Sequence, residues 1–199
     1  MIPAVLIVIA AYLLGSVSFA VVVSKAFALP DPHEYGSGNP GATNVLRTGN
    51  KLAAVLTLAG DGLKGWLAVY LAGLAGTTLG APDWVVPASA LAVFLGHLFP
   101  VFHHFAGGKG VSTAAGIVYA LHWPLGLVLM VVWLTMAVGF RISSLAALTA
   151  AAVMPLGGFY YFGNSLTAWS LVAIAALLFW RHRVNIQQLF SGKENAIGR

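Results

Sequence analysis

An all-α integral membrane bundle of about seven transmembrane helices, forming one domain over residues 1–199, is the fold class this sequence predicts. Three observations lead there. Hydrophobic residues fill 59% and charged residues 8% of the 199 positions, and mean hydropathy is +0.88, so the apolar side chains exceed what one soluble core can enclose. Apolar runs of about 20 residues, enough to cross ~30 Å of hydrocarbon, recur along the chain. When the runs are counted as seven, lysine and arginine collect on one side of the bilayer.

The first run, 2–24, has no positive charge before it and is longer than the roughly 7–15 residues of a signal-peptide core. Although Ala26-Phe27-Ala28 imitates a cleavage site, the run reads as a retained span that ends at Lys25. The second, 52–80, carries Asp61 and Lys64 within it, and the third covers 84–102. Thr113 to Phe140 contains His122-Trp123-Pro124, and Ile142 to Trp180 contains Gly157-Gly158 and Gly163-Asn164, so each stretch can be one element or two. Splitting both gives spans near 111–122, 124–140, 142–162 and 165–180. Every arginine, and every lysine but Lys64, then lies on one face, with the amino terminus outside and the carboxyl terminus in the cytoplasm. The 111–122 span reaches only about half-way across at ~1.5 Å per residue. Its start should therefore lie inside the protein, because non-helical backbone at membrane depth must be buried or line a watery cavity.

Charge gathers into three islands: Asp31 to Lys51, His103 to Lys109, and Arg181 to Arg199. In the first, Gly36-Ser37-Gly38-Asn39-Pro40-Gly41-Ala42-Thr43-Asn44 is too rich in glycine and proline for a regular helix and should be a loop or a broken helix start. Its amides can converge on an oxyanion, with Ser37, Asn39, Thr43 and Asn44 as side-chain donors and Gly41 easing backbone approach. Arg47 lies three residues beyond Asn44, on the same face of any helix there, and can grip phosphate through two bonds. In the second, Gly107-Gly108-Lys109-Gly110 followed by Ser112-Thr113 reads as a glycine loop feeding a helix start, an anion site without Walker spacing. In the third, helical spacing sets His182 and Asn185 on one face, while Arg183 and Arg199 read as orientation signals.

Two further groups sit beside the islands. Asp61 and Lys64 are three apart and either neutralise one another or present Lys64 to a cavity with Asp61 orienting it. Arg141 with Ser143 and Ser144 places a cation and two hydroxyls at a helix start, where ordinary capping explains the serines equally well. Several classes are excluded. There is no cysteine, hence no disulfide, thiolate metal site or cysteine nucleophile. His97, His103 and His104 have no neighbouring carboxylate or cysteine to complete a metal site, so neither metal nor cofactor is expected. A charge of +5 without basic, aromatic-interleaved stripes argues against nucleic acid as a partner.

Gly36 to Asn44 with Arg47, then Gly96-His97, Phe99-Pro100 and Gly107-Gly108-Lys109-Gly110-Val111, then Arg181-His182 with Asn185-Ile186, together resemble the bacterial acyl-phosphate glycerol-3-phosphate acyltransferase family. The motifs occur in order over nearly the whole chain, and Asp61-Gly62-Leu63-Lys64-Gly65 is similar to the family's acidic-to-lysine helix element. The resemblance implies a multi-pass protein of the bacterial inner membrane with its active site facing the cytoplasm. It also implies transfer of a fatty acyl group from acyl phosphate to the 1-hydroxyl of glycerol 3-phosphate, releasing phosphate and lysophosphatidate, the first acylation of phospholipid synthesis. Ser37 and Arg47 then belong to a first catalytic motif, Lys109 with Gly107, Gly108 and Gly110 to a phosphate loop, and His182 with Asn185 to a third motif. Arg47, Lys64 and Lys109 would neutralise the two substrate phosphates. Membrane lipid is an expected partner, and contact with the enzyme that makes acyl phosphate is compatible with this reading.

The rival class is a transporter for an anionic phosphorylated metabolite, which would place its site near the bilayer midplane and usually show a repeat. Thioester-dependent acyltransferases need His-x-x-x-x-Asp, and no histidine here has aspartate five positions later.

Overall fold

In the computed structural model, residues 2–197 are described and they form ten α-helices; Arg199 lies outside the described residues. The predicted first span is two helices, α1 (Ile2–Gly15) and α2 (Phe19–Ala26), bent by 44°. The break corrects the expectation of one continuous helix over 2–24. It frees backbone groups within an apolar run, and Lys64 Nζ donates to the Val17 carbonyl at 2.7 Å. The short α3 (Ala42–Leu46) follows the loop that leaves α2.

The long α4 (Lys51–Leu79) starts where Asn50 accepts from the Ala53 amide at 3.0 Å and ends at Gly80 in the left-handed region, φ 60. It carries the Asp61–Lys64 pair without interruption. Then come α5 (Val85–Leu98), a 3₁₀ turn at Val101–His103 and the glycine loop leading to α6 (Val111–Leu121). The two ambiguous stretches both divide. His122 ends α6 and caps α7 (Trp123–Phe140), its Nδ1 accepting from the Leu125 amide at 3.2 Å. Between α8 (Ser143–Phe162) and α9 (Leu166–Arg181), Gly163 turns the chain at φ 60 and Ser165 caps the new helix. A short α10 (Arg183–Phe190) runs on from α9 after one residue.

Four helical segments are long and apolar enough to cross a bilayer: α4, α5 with its 3₁₀ extension, α7 and α8; the bent α1–α2 pair makes a fifth. The remaining apolar helices, α6 and α9, have 11 and 16 residues.

In a lipid environment close packing replaces the hydrophobic effect between helices, and small residues permit it. At the α4–α6 contact a Cβ on Gly116 would run into the Gly62 carbonyl, and one on Gly65 into the Thr113 carbonyl. At the α1–α5 contact Gly15 and Gly96 play the same part against Val93 and Tyr12. This draws the start of α6 beside the middle of α4, which is how a short helix comes to begin inside the protein.

Lys64 and Asp61 are 2% and 3% exposed, with Nζ 2.8 Å from Oδ1. Lys64→Met strands the Asp61 charge and the Val17 carbonyl together, and should lower stability by about 3–5 kcal/mol. The double variant Asp61→Asn/Lys64→Met should recover part of that loss. Denaturant titration in detergent micelles measures both, and an unaltered midpoint for the single variant would contradict the assignment.

Candidate active site

The first island folds around Asn44. Gly36 and Gly38 take left-handed φ of 59 and 63, turning the chain so that the Ser37 amide donates to Asn44 Oδ1 at 3.0 Å. The same oxygen accepts from Arg47 Nη1 at 3.2 Å, one turn along α3. Asn44 Nδ2 donates to the carbonyls of Pro32 at 2.9 Å and Tyr35 at 3.1 Å. Asn44, expected as a phosphate donor, is therefore a buried strut with both amide hydrogens engaged, and it aims Ser37 and Arg47.

The second island is held by groups the sequence reading did not assign. The Arg181 guanidinium, at the end of α9, donates to the carbonyls of Gly107 and Gly108. The Gly108 amide donates to the His97 carbonyl at 3.1 Å. A Cβ on Gly108 would collide with the His97 ring and lie 2.9 Å from the Pro40 carbonyl, so only glycine lets the two loops meet. Gly110, at φ 88, then turns the chain into α6.

These loops enclose a polar cavity of about 570 Å³. From the first island it is lined by Ser37, Asn39, Gly41, Thr43 and Arg47, with Asn44 behind them. Lys109, Gly110 and Ser112 line it from the second island and His182 with Asn185 from the third, while Ser143 and Ser144 enter from the start of α8. Thr43 Oγ1 and Ser143 Oγ lie 3.3 Å apart across it. Ser112 Oγ is committed to the Leu58 carbonyl at 2.6 Å.

Five predicted site residues do not line the cavity. Lys64 bonds Val17 and Asp61 behind the wall, and it is Asp61 and His97, 3.5 Å apart, that reach the lining. Gly107 and Gly108 are buried by their clamp, Thr113 is wholly buried, and Arg141 is an exposed left-handed C-cap of α7 at φ 57.

Among the cavity residues without a signal in the sequence is Glu194. Gly192, at φ 67, reverses the chain after α10 and brings Glu194 back over the site. Glu194 Oε1 accepts from Ser144 Oγ at 2.6 Å and from Asn185 Nδ2 at 2.7 Å, while Asn185 Oδ1 accepts from Lys109 Nζ at 2.6 Å. The amide of Asn185 is thus oriented from both ends. Burial pulls Lys109 below the usual lysine range, with Glu194 pulling the other way. His182 is 3% exposed and its Nδ1 donates to the Leu178 carbonyl at 2.8 Å, leaving Nε2 as the lone-pair nitrogen. Burial pushes His182 down to about 4, so the ring is neutral near pH 7.

A second, apolar pocket of about 150 Å³ lies between α6, α7 and α8, lined by residues such as Val118, Leu129, Ala150 and Met154. It shares Leu58, Val111, Ser112 and Trp133 with the polar cavity.

With this geometry, the chain matches known proteins along almost all its length. The family model described as glycerol-3-phosphate acyltransferase covers residues 5–192. A relative named glycerol-3-phosphate acyltransferase from Cupriavidus pinatubonensis is 60% identical over 193 residues, 97% of this chain and 96% of the relative. Another of the same name from Burkholderia ambifaria is 58% identical over 190 residues, 94% of this chain and 88% of the relative. Among solved structures, the glycerol 3-phosphate form of PlsY (YgiH), an integral membrane glycerol 3-phosphate acyltransferase, superposes with a TM-score of 0.90 at 39% identity, covering 98% of this chain and 96% of that one. Its lysophosphatidic acid form gives 0.88 at 39% identity, covering 98% and 95%. By its sequence and its fold alike, this chain belongs to the glycerol-3-phosphate acyltransferase family.

Proposed function

We propose that the chain transfers a fatty acyl group from acyl phosphate to the 1-hydroxyl of glycerol 3-phosphate, giving 1-acyl-glycerol 3-phosphate and inorganic phosphate. The observation that carries this reading is the shared wall: a cavity rich in anion donors opens beside an apolar pocket. That arrangement suits two phosphates and one acyl tail meeting at one point. The relatives' name supports the acceptor, and the glycerol 3-phosphate and lysophosphatidic acid forms of the solved relative fit one reactant and the product.

In this reading Arg47 and Lys109 neutralise the phosphates. Ser37, Asn39, Thr43 and Ser143 add hydroxyl and amide donors, Gly41 and Gly110 let backbone approach, and Ser144 serves by holding Glu194. The glycerol oxygen bonds to the acyl carbon, the anhydride C–O bond breaks, and phosphate departs. Acyl phosphate is already activated, so positioning supplies most of the catalysis. The hydroxyl proton passes to the leaving phosphate, since a neutral imidazole with a pKa of about 4 is a weak base. His182 Nε2 and Asn185 hold the acceptor in line. We place the reaction on the cytoplasmic side of a bacterial inner membrane, in a seven-span topology with the amino terminus outside. That topology counts α6 and α9 as spans and rests on the one-sided positive charge.

Purified full-length protein given acyl phosphate and glycerol 3-phosphate should release lysophosphatidate and phosphate in equal amounts; product only with an acyl thioester would refute the donor. Arg47→Ala should lower kcat/KM by about 10- to 150-fold, the equivalent of one charge-assisted hydrogen bond. Ala150→Leu should narrow the apolar pocket and cut kcat/KM for long acyl phosphates about ten-fold relative to short ones, read from a chain-length series. Acid should also destabilise the fold through His182. Its folded value lies below the ordinary 6.5, so the unfolded chain takes up the proton first. Stability is unaffected above about 6.5 and falls by up to ~3 kcal/mol towards pH 4. His182→Asn should flatten that acid limb in thermal melts, and an identical limb would assign it elsewhere.

A further inference from the structure

Upstream of Ser37 and upstream of Lys109, two loops are joined by the side chain of His33. Its Nδ1 lies 2.6 Å from Asp31 Oδ1 and its Nε2 lies 2.9 Å from the Ala106 carbonyl oxygen. Its backbone N–H also reaches Asp31 Oδ1 at 2.9 Å, and this bond holds the Asp31 carboxyl below the usual carboxylate range. A carboxylate and a peptide carbonyl can only accept. Neutral imidazole carries one N–H, so the two contacts together require the imidazolium.

Ala106 lies three residues before Lys109 and His33 four before Ser37. The loop that His33 grips holds His104 and Phe105 in the left-handed region, φ 49 and 60, a conformation that side chains disfavour and that needs an external hold. The charged groups around His33 are mixed. Asp31 faces it from its own loop, and His103 faces it from the 3₁₀ turn, with ring centroids 6.3 Å apart. Lys25 at the end of α2 and His104 act on that pair from further out.

We propose that His33 is a positioning residue: with both ring nitrogens donating, it clamps the Ser37 loop to the Lys109 loop and so holds the seat for substrate phosphate. The clamp acts on the two loops whose ends line the cavity, while its own ring stays outside the cavity lining. The kinetic readout rests on the acyl-transfer reading; the geometry of the clamp does not.

The test follows KM and kcat for glycerol 3-phosphate in the full-length protein at one fixed pH. His33→Ala should show a KM about three-fold higher than wild type, the scale of a half-exposed charge pair, with kcat unchanged. His33→Arg, permanently charged and with several donors, should restore KM towards the wild-type value. An unaltered KM in His33→Ala, or an arginine variant that behaves like alanine, would overturn the clamp. Nitrogen NMR of histidine-labelled wild type and His33→Gln supplies a readout independent of turnover. Two N–H groups on His33 support the proposal, and a single N–H overturns it. If wild type shows no turnover with these substrates, the acyl-transfer reading fails and the NMR result still decides the clamp.

Discussion

The ammonium of Lys64 is the contact on which the rest of this architecture leans. The first span is broken at residues 16–18, and a broken span exposes backbone that hydrocarbon cannot satisfy. Lys64 meets the freed Val17 carbonyl, and its charge is balanced by Asp61 one turn earlier on α4. Asp61 in turn faces His97 on α5, and His97 is the surface on which Gly108 rests and the carbonyl that the Gly108 amide meets. A defect in α1–α2 is thus connected through two buried ionic groups to the loop that carries Lys109. Lys64 does not line the polar cavity, and Asp61 reaches its wall beside His97. Their pairing makes a charged, irregular region tolerable inside an apolar bundle, which is the condition for having a polar site there at all.

The site is then a product of loops held by side chains rather than of helices that present side chains. Asn44 aims Ser37 and Arg47, Arg181 pins Gly107 and Gly108, and Glu194 with Lys109 fixes the amide of Asn185. Each hold crosses a large sequence distance except the first, so the three islands become one site only once α4, α5 and α9 have packed. Glycine contacts between α4 and α6 make that packing close enough for Ser112 and Lys109 to reach the cavity.

What the sequence makes legible follows from the same physics. Polarity is rare in this chain, so Arg47, Lys109, His182 and Asn185 stand out, and all four line the cavity. The divisions at His122 and at Gly163-Asn164 are legible through the one-sided placement of arginine and lysine, which asks for two breaks; local features alone also offer Gly157-Gly158, which stays inside α8. The bend at 16–18 is not, since Ser16-Val17-Ser18 breaks no propensity rule strongly and its stabiliser, Lys64, is far away in the chain. The role of Lys64 is half legible: its partner Asp61 is three residues off, but the Val17 carbonyl is a tertiary contact. Glu194 is illegible for a like reason. A glutamate in a polar tail looks like a solvated charge, and it acquires a role only because Gly192 reverses the chain over the start of α8.

The placement of cations has a consequence for topology. On the proposed seven-span arrangement, Arg47, Lys109 and Arg181 are also the charges that orient the chain, since they flank spans at one face. Binding and orientation therefore draw on the same residues. In the proposed reaction, a donor with an acyl tail and a soluble phosphate acceptor require a site at the boundary between lipid and water, on the side where the acceptor is found. Building the anion site from the orienting charges couples the two requirements: a chain inserted the other way would carry its active site to the wrong compartment. On the proposed reading, the polar cavity beside an apolar pocket answers the first requirement through shape, and the one-sided positive charge answers the second.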